Sequence, residues 1–76
     1  MEKKKEDIYN IVGKNIKKYR KAKGMTQRQL AESLLLCESF IAKLESITYQ
    51  SISIDTLEMI ADKLEVDIEE FFNREI

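Results

Sequence analysis
Ile8, Val12, Ile16 and Tyr19 stand three and four residues apart, and that spacing returns along nearly the whole chain. It recurs at Leu30, Ala31 and Leu34, at Ile41 and Leu44, and at Leu57, Ile60, Ala61 and Leu64. Residues so spaced line one face of an α-helix, so each segment must bury its stripe against another helix. No strand pattern competes with this period, and the expected fold class is all-α. The lack of proline, with only two glycines and one cysteine, agrees, because loop-rich and disulfide-stapled scaffolds need more of these residues. At 76 residues the chain predicts a single domain over 1–76, its core between 8 and 72, near the lower size at which one core suffices.

Local signals predict five helices. The first runs from about Glu6 to Lys23, and Gly24 can take the left-handed conformation that ends it. Asn10 and Asn15 are weak helix formers and predict a frayed start. Thr26 and Gln29 have the spacing of a capping box, which opens the second helix. The third covers about Glu38 to Ser46. Ser53 is a good N-cap for the fourth. Asp67 and Glu70 form a second capping-box pair, opening a short fifth helix with Ile68, Phe71 and Phe72. Phe71 and Phe72 are adjacent, so both cannot enter one core. Either one closes the bundle and the other is half exposed, or one packs with Ile68 or Ile76 against a second copy.

The segment from Gln27 to Leu44 has a tighter pattern. With Gln27 as the first position, Ala31 is fifth, where two crossing helices need a small residue. Leu30, Leu34, Leu36, Ile41 and Leu44 are fourth, eighth, tenth, fifteenth and eighteenth. Those positions face inward when two short helices meet at roughly 90–120° across a turn of about 3–4 residues, as in a helix-turn-helix. An ordinary αα-hairpin matches several of the same offsets.

Net charge is −1, but the charges are segregated. Lys14, Lys17, Lys18, Arg20, Lys21, Lys23 and Arg28 give seven positive charges with no acid between them. From Asp55 to Ile76 eight acids face only Lys63 and Arg74. Such asymmetry either suits one face to a polyanion or is a solvated helix surface. The chain has no histidine, no glycine-rich phosphate loop and no Cys/His metal spacing, so neither an enzyme, a metal nor a cofactor is expected. No small-molecule site is evident. No stretch approaches the roughly 20 apolar residues that span a bilayer. The opening MEKKKEDIYN has no apolar run after its lysines and is not expected to be a signal peptide. A lone cysteine fits a reducing compartment, so the expected location is the cytoplasm.

Three stretches in order, IVGKNIKKYRKAKGMTQRQLAESL, FIAKLES and SIDTLEMIADKLEVDIEEFF, resemble the phage-repressor (Cro/cI-like) helix-turn-helix family, also called the xenobiotic-response-element family. The resemblance spans Val12 to Phe72. It implies a lambda-repressor-like bundle of five helices that binds double-stranded DNA, often as a homodimer, to regulate transcription. It places the second helix of the motif in the major groove, with its first residues on base edges. Glu38, Ser39 and Lys43 match base-reading positions. Cys37 and Phe40 match positions that touch sugar-phosphate or thymine methyls. Gln27 matches a phosphate-bonding glutamine at a helix start, where free N–H groups favour anions. Arg28 adds a phosphate contact. Thr48, Tyr49 and Gln50 match a loop that grips the backbone. Arg20 and Glu45 match a partly buried ion pair that orients the third helix; otherwise both are surface charges.

The sequence departs from the family at several points. Leu35 replaces the usual turn glycine, so either a leucine bears a positive φ or the turn changes geometry. Cys37 replaces a capping serine and is either a passive small residue or a thiol activated by a helix start. Glu38 replaces Gln or a basic residue. It is either a reader of cytosine N4 or simply a favourable first-turn acid. Phe40 either meets thymine methyls or joins an interaction surface with Leu35 and Leu36. The loop at 47–52 lacks glycine and basic residues. These departures keep a second function open: a protein-interaction module on the same scaffold, antirepressor-like or toxin-binding.

Overall fold
The computed structural model describes residues 8–46 and 51–74. Four α-helices, α1 (Ile8–Ala22), α2 (Gln27–Ser33), α3 (Glu38–Glu45) and α4 (Ile54–Leu64), are followed by a 3-10 helix, Ile68–Phe72. The predicted starts of α2 and α4 follow from their caps. Thr26 Oγ1 accepts from the Gln29 N–H at 3.0 Å, and Gln29 Oε1 accepts from the Thr26 N–H at 2.8 Å. Ser53 Oγ accepts from the Thr56 N–H at 3.1 Å. Cys37 precedes α3 with no side-chain cap bond, as its weak hydrogen-bonding sulfur leads one to expect.

Three helices end in the same closure. After α1, Gly24 N–H donates to Lys21 O and Met25 N–H to Arg20 O. After α2, Leu35 N–H donates to Glu32 O and Leu36 N–H to Ala31 O. After α4, Glu65 N–H donates to Asp62 O and Val66 N–H to Ala61 O. This is the Schellman arrangement, which needs a left-handed residue followed by an apolar one. The left-handed residues are Gly24 (φ 72°), Leu35 (φ 59°) and Glu65 (φ 61°). Met25, Leu36 and Val66 follow them and pack against the core. Leu35 therefore keeps the positive φ of the turn glycine it replaces, and the apolar anchor at Leu36 holds it there.

The core joins all five elements. Ile16, Leu30, Ile41, Ile60 and Phe71 are wholly buried, with Val12, Leu44, Leu57 and Leu64 around them. Phe71 closes the bundle, its ring tilted on Tyr19 at 6.2 Å between centroids. It has no surface left for a partner, contrary to its expected place at a dimer interface; of the adjacent pair, Phe72 is the one left at the surface, 41% exposed. The frayed start predicted from Asn15 is also corrected. Asn15 is buried in α1 and its Nδ2 donates to Phe71 O and Asn73 O, both at 2.9 Å. It thereby holds the 3-10 helix onto α1. The Asp67–Glu70 capping box does not form. Glu70 Oε1 instead accepts from the Tyr19 hydroxyl at 3.1 Å, so a tertiary bond takes the carboxylate and the segment stays a 3-10 turn.

Gly13 sets how closely α3 lies on α1. A Cβ there would stand 1.9 Å from Leu44 O, so only glycine lets the two backbones meet.

Candidate nucleic-acid interface
The burial of α3 divides its surface. Ile41 and Leu44 are buried, and Glu38, Ser39 and Lys43 are exposed. Positions 38, 39, 42 and 43 share one side of a helix, so the outward side is Glu38, Ser39, Ala42 and Lys43. Ala42 is half-buried and small, which leaves that side low between its longer neighbours. An α-helix with such a face matches the width of a B-form major groove.

The carboxyl end of α3 is fixed by charge. Arg20 Nε and Nη2 hold Glu45 Oε2 and Oε1 at 2.7 and 2.9 Å, and Arg20 Nη1 donates to Met25 O at 2.7 Å. The two side chains are only 7% and 2% exposed. The planar guanidinium can make all three bonds at once, which a lysine could not. Arg20 is thus a positioning residue and contributes nothing to the exposed positive face.

Gln27 turns toward the same pair, its Nε2 donating to Glu45 Oε1 at 3.0 Å. The start of α2 is therefore bonded to the end of α3, a link that the sequence does not announce. Arg28, one residue on, reaches across to the first residue of α3, with Nε 3.3 Å from Glu38 Oε1. Both side chains of this pair are open to solvent, 70% and 48% exposed. Cys37 is exposed beside it. Phe40 is half-buried and packs against the core, which leaves it only an edge for a ligand. Leu36 also turns inward, so the suggested apolar patch reduces to Leu35, which is 93% exposed. Thr48, Tyr49 and Gln50 lie outside the described residues, as does Ile76.

Elsewhere, Lys14, Lys17, Lys18 and Lys21 line the exposed side of α1, whereas α4 exposes Asp55, Glu58 and Asp62. Lys23 Nζ bonds Glu65 Oε1 at 2.5 Å, tying the end of α1 to the end of α4. A separate groove of about 190 Å³ opens where the starts of α1 and α4 meet the end of the 3-10 helix. Ile8, Tyr9, Val12, Ile52, Ile54, Leu57 and Phe72 line it, and no charged side chain among the described residues does. Ile8, Ile54 and Phe72 are 39%, 67% and 41% exposed there. No helix among the described residues is long and apolar enough to cross a membrane.

Comparison with known proteins agrees with this geometry. Residues 16–71 match the family model described as helix-turn-helix. The HTH-type transcriptional regulator SlrR of Bacillus subtilis (strain 168) is 32% identical over 65 residues, covering 86% of this chain. The chain spans 43% of that relative's length. Its fold is similar to that of SinR, the master regulator for biofilm formation, solved in complex with DNA. There the TM-score is 0.76 at 31% identity, over 82% of this chain and 98% of the other. It is also similar to the restriction-modification controller protein C.Esp1396I, with TM-score 0.76 at 38% identity, over 95% of this chain and 86% of the other. The chain belongs to the Cro/cI-like, xenobiotic-response-element family of helix-turn-helix proteins.

Proposed function
We propose that this chain is a sequence-specific, DNA-binding transcriptional regulator that lays α3 in the major groove and works in the cytoplasm as a homodimer. One observation carries the reading. The side of α3 that carries Glu38, Ser39 and Lys43 is uncovered, and the opposite side is fixed by Ile41, Leu44 and the Arg20–Glu45 pair. A rigid helix with one free side can enter a groove without rearrangement, so little ordering entropy opposes binding. Ser39 and Lys43 present hydrogen-bond donors to base edges and phosphates. Arg28 and lysines of α1 supply phosphate contacts. Thr48, Tyr49 and Gln50 are proposed to approach the backbone through neutral donors, and Cys37 and the edge of Phe40 to meet the sugar-phosphate beside them.

The second copy is proposed to sit on the uncharged groove of Ile8, Ile54 and Phe72; Ile68 instead lines a surface with Glu58, Asp62 and Glu69, and Ile76 lies outside the described residues. Outside it, lysines line the exposed side of α1 and Asp55, Glu58 and Asp62 that of α4, and the other exposed large apolar residues among those described are Leu35 and Met59. Self-pairing through α1 would set lysine against lysine, and through the exposed side of α4 acid against acid. The uncharged groove meets itself without that repulsion. Two copies would then present α3 twice, about 34 Å apart, to one side of a duplex. Light scattering at micromolar concentration is expected to show a dimer that Phe72→Ser dissociates; a monomer unaffected by the substitution contradicts it.

Fluorescence anisotropy of a labelled duplex at two salt concentrations tests the DNA reading. About three cations per copy on phosphates predict a log–log salt slope of roughly −2.7 per copy. Binding should weaken with salt by that measure and survive competitor DNA. No binding at low salt would instead favour a protein-interaction module, whose contact would include the exposed Leu35.

A further inference from the structure
The first residue of α3 is a carboxylate on a face proposed to meet phosphates, and Arg28 holds it at 3.3 Å. Both partners are largely solvated, and a pair of this kind is held weakly, so a phosphate can compete for the arginine. Glu38 has no such alternative. A carboxylate only accepts hydrogen bonds, and phosphates repel it. Among the base edges of the major groove, cytosine presents the N4 amino donor. Adenine sets its N6 donor beside the N7 acceptor, and guanine and thymine present acceptors. Gln27 carries no charge to replace that of Arg28, and one N–H of its amide is bonded to Glu45 at 3.0 Å.

We propose that Arg28 and Glu38 form an ionic latch that couples one phosphate contact to base identity: Arg28 leaves Glu38 for a phosphate more readily where a cytosine amino group replaces it on the carboxylate than where Glu38 would be left unpaired beside the phosphates. The latch rests on the reading of α3 as the helix in the groove. On a duplex with another base at that position, Glu38 competes with the phosphate for Arg28, and that phosphate contact is made less often. Matched and mismatched duplexes then differ in salt dependence as well as in affinity. The difference reaches at most about 0.9 in log–log slope per copy, the value of one complete phosphate contact. Glu38 is in this account a specificity-determining residue, and its acidic character is the source of the discrimination.

The experiment selects duplexes from a random pool with the unchanged chain and with E38Q. It then measures salt slopes on the selected duplex and on one with the cytosine replaced. Glu38 is exposed, so E38Q is expected to fold. The unchanged chain should select a cytosine at one position of each half-site, with a slope steeper than on the replaced duplex by an amount up to about 0.9 per copy. E38Q should move the preference to adenine, whose N6 and N7 suit an amide, and abolish the slope difference. Binding with equal slopes on both duplexes, or an unchanged cytosine preference in E38Q, overturns the latch and leaves the DNA reading standing. No duplex bound by either form overturns both.

Discussion

Replacing Gly13 with alanine puts a methyl group where two backbones meet. Its Cβ would lie 1.9 Å from Leu44 O, 3.0 Å from Leu44 C and 3.4 Å from Glu45 Cα. All three are main-chain atoms, so no rotamer change relieves the clash. The gap to Leu44 O must widen by 1.1 Å to reach even 3.0 Å, the shortest separation that real Cβ atoms show. In an exposed helix the same change would stabilise by about 1 kcal/mol, because alanine is the better helix former. Overpacking a filled site typically costs about 1–3 kcal/mol, and rigid neighbours favour the upper end. The net expectation is a loss of about 2 kcal/mol. For a domain of this size that lowers the melting temperature by about 8–16 °C. A far-UV circular dichroism melt reads it directly. The displaced part is the end of α3 that Arg20 holds, so duplex affinity should also fall at temperatures where the variant remains folded. A melting temperature equal to or above that of the unchanged chain would mean that α1 and α3 do not approach this closely, and the orientation of α3 would need another explanation.

Arg20→Ala strands a carboxylate whose side chain is 2% exposed, with Gln27 as its remaining side-chain partner. Urea unfolding should show a loss of about 3–5 kcal/mol, whereas Arg20→Met with Glu45→Leu recovers most of it; equal losses in both would point to packing and not charge. Leu35→Gly removes a left-handed strain of about 1–2 kcal/mol, offset by about 0.5–1 kcal/mol of unfolded-chain entropy. Leu35 is 93% exposed, so no packing is lost, and the midpoint should rise; a fall would mean that the side chain has a stabilising contact. The hydrogen bond from Lys23, and then its charge, hold the Glu65 carboxyl below its ordinary value of 4.5 against a small opposing effect of burial. A depressed folded-state value means that this contribution is present above 4.5 and is lost as pH falls through the folded value. Lys23→Gln should therefore flatten the acid limb of stability below 4.5 and leave its shape near neutrality unchanged; identical acid limbs would exclude the pair.

Helix positions were legible in the sequence because they depend on local chemistry. The spacing of Leu57, Ile60, Ala61 and Leu64, and the caps at Thr26 and Ser53, need no knowledge of the rest of the fold. The misreadings fall where a distant partner decides. Asn15 is a poor helix former by itself, but it occupies the same face as Val12 and Ile16 and bonds the backbone at Phe71 and Asn73. Its place on the buried stripe was the available clue. Glu70 has capping-box spacing, yet Tyr19, 51 residues away in sequence, takes its carboxylate. Gly13, inside a helical period, reads only as a weak helix former; its close approach to Leu44 O is set by the packing of α3. In the candidate site, periodicity gives Ile41 and Leu44 as the inward residues of α3, whereas Glu38, Ser39 and Lys43 come from the resemblance to the family. The bond from Gln27 to Glu45 and the bridge from Arg28 to Glu38 depend on the angle between α2 and α3, which no local pattern encodes. Neither Phe71 nor Phe72 could be assigned to the core until the 3-10 geometry set which of them turns inward.

Amide chemical-shift mapping during titration with a selected duplex tests most directly whether α3 is the groove-binding element. The largest shifts should fall on Arg28, Glu38, Ser39 and Lys43, with little change along the acidic exposed side of α4 at Asp55, Glu58 and Asp62. Shifts concentrated on α4 or around the Ile54–Phe72 groove, with α3 unmoved, would contradict the account.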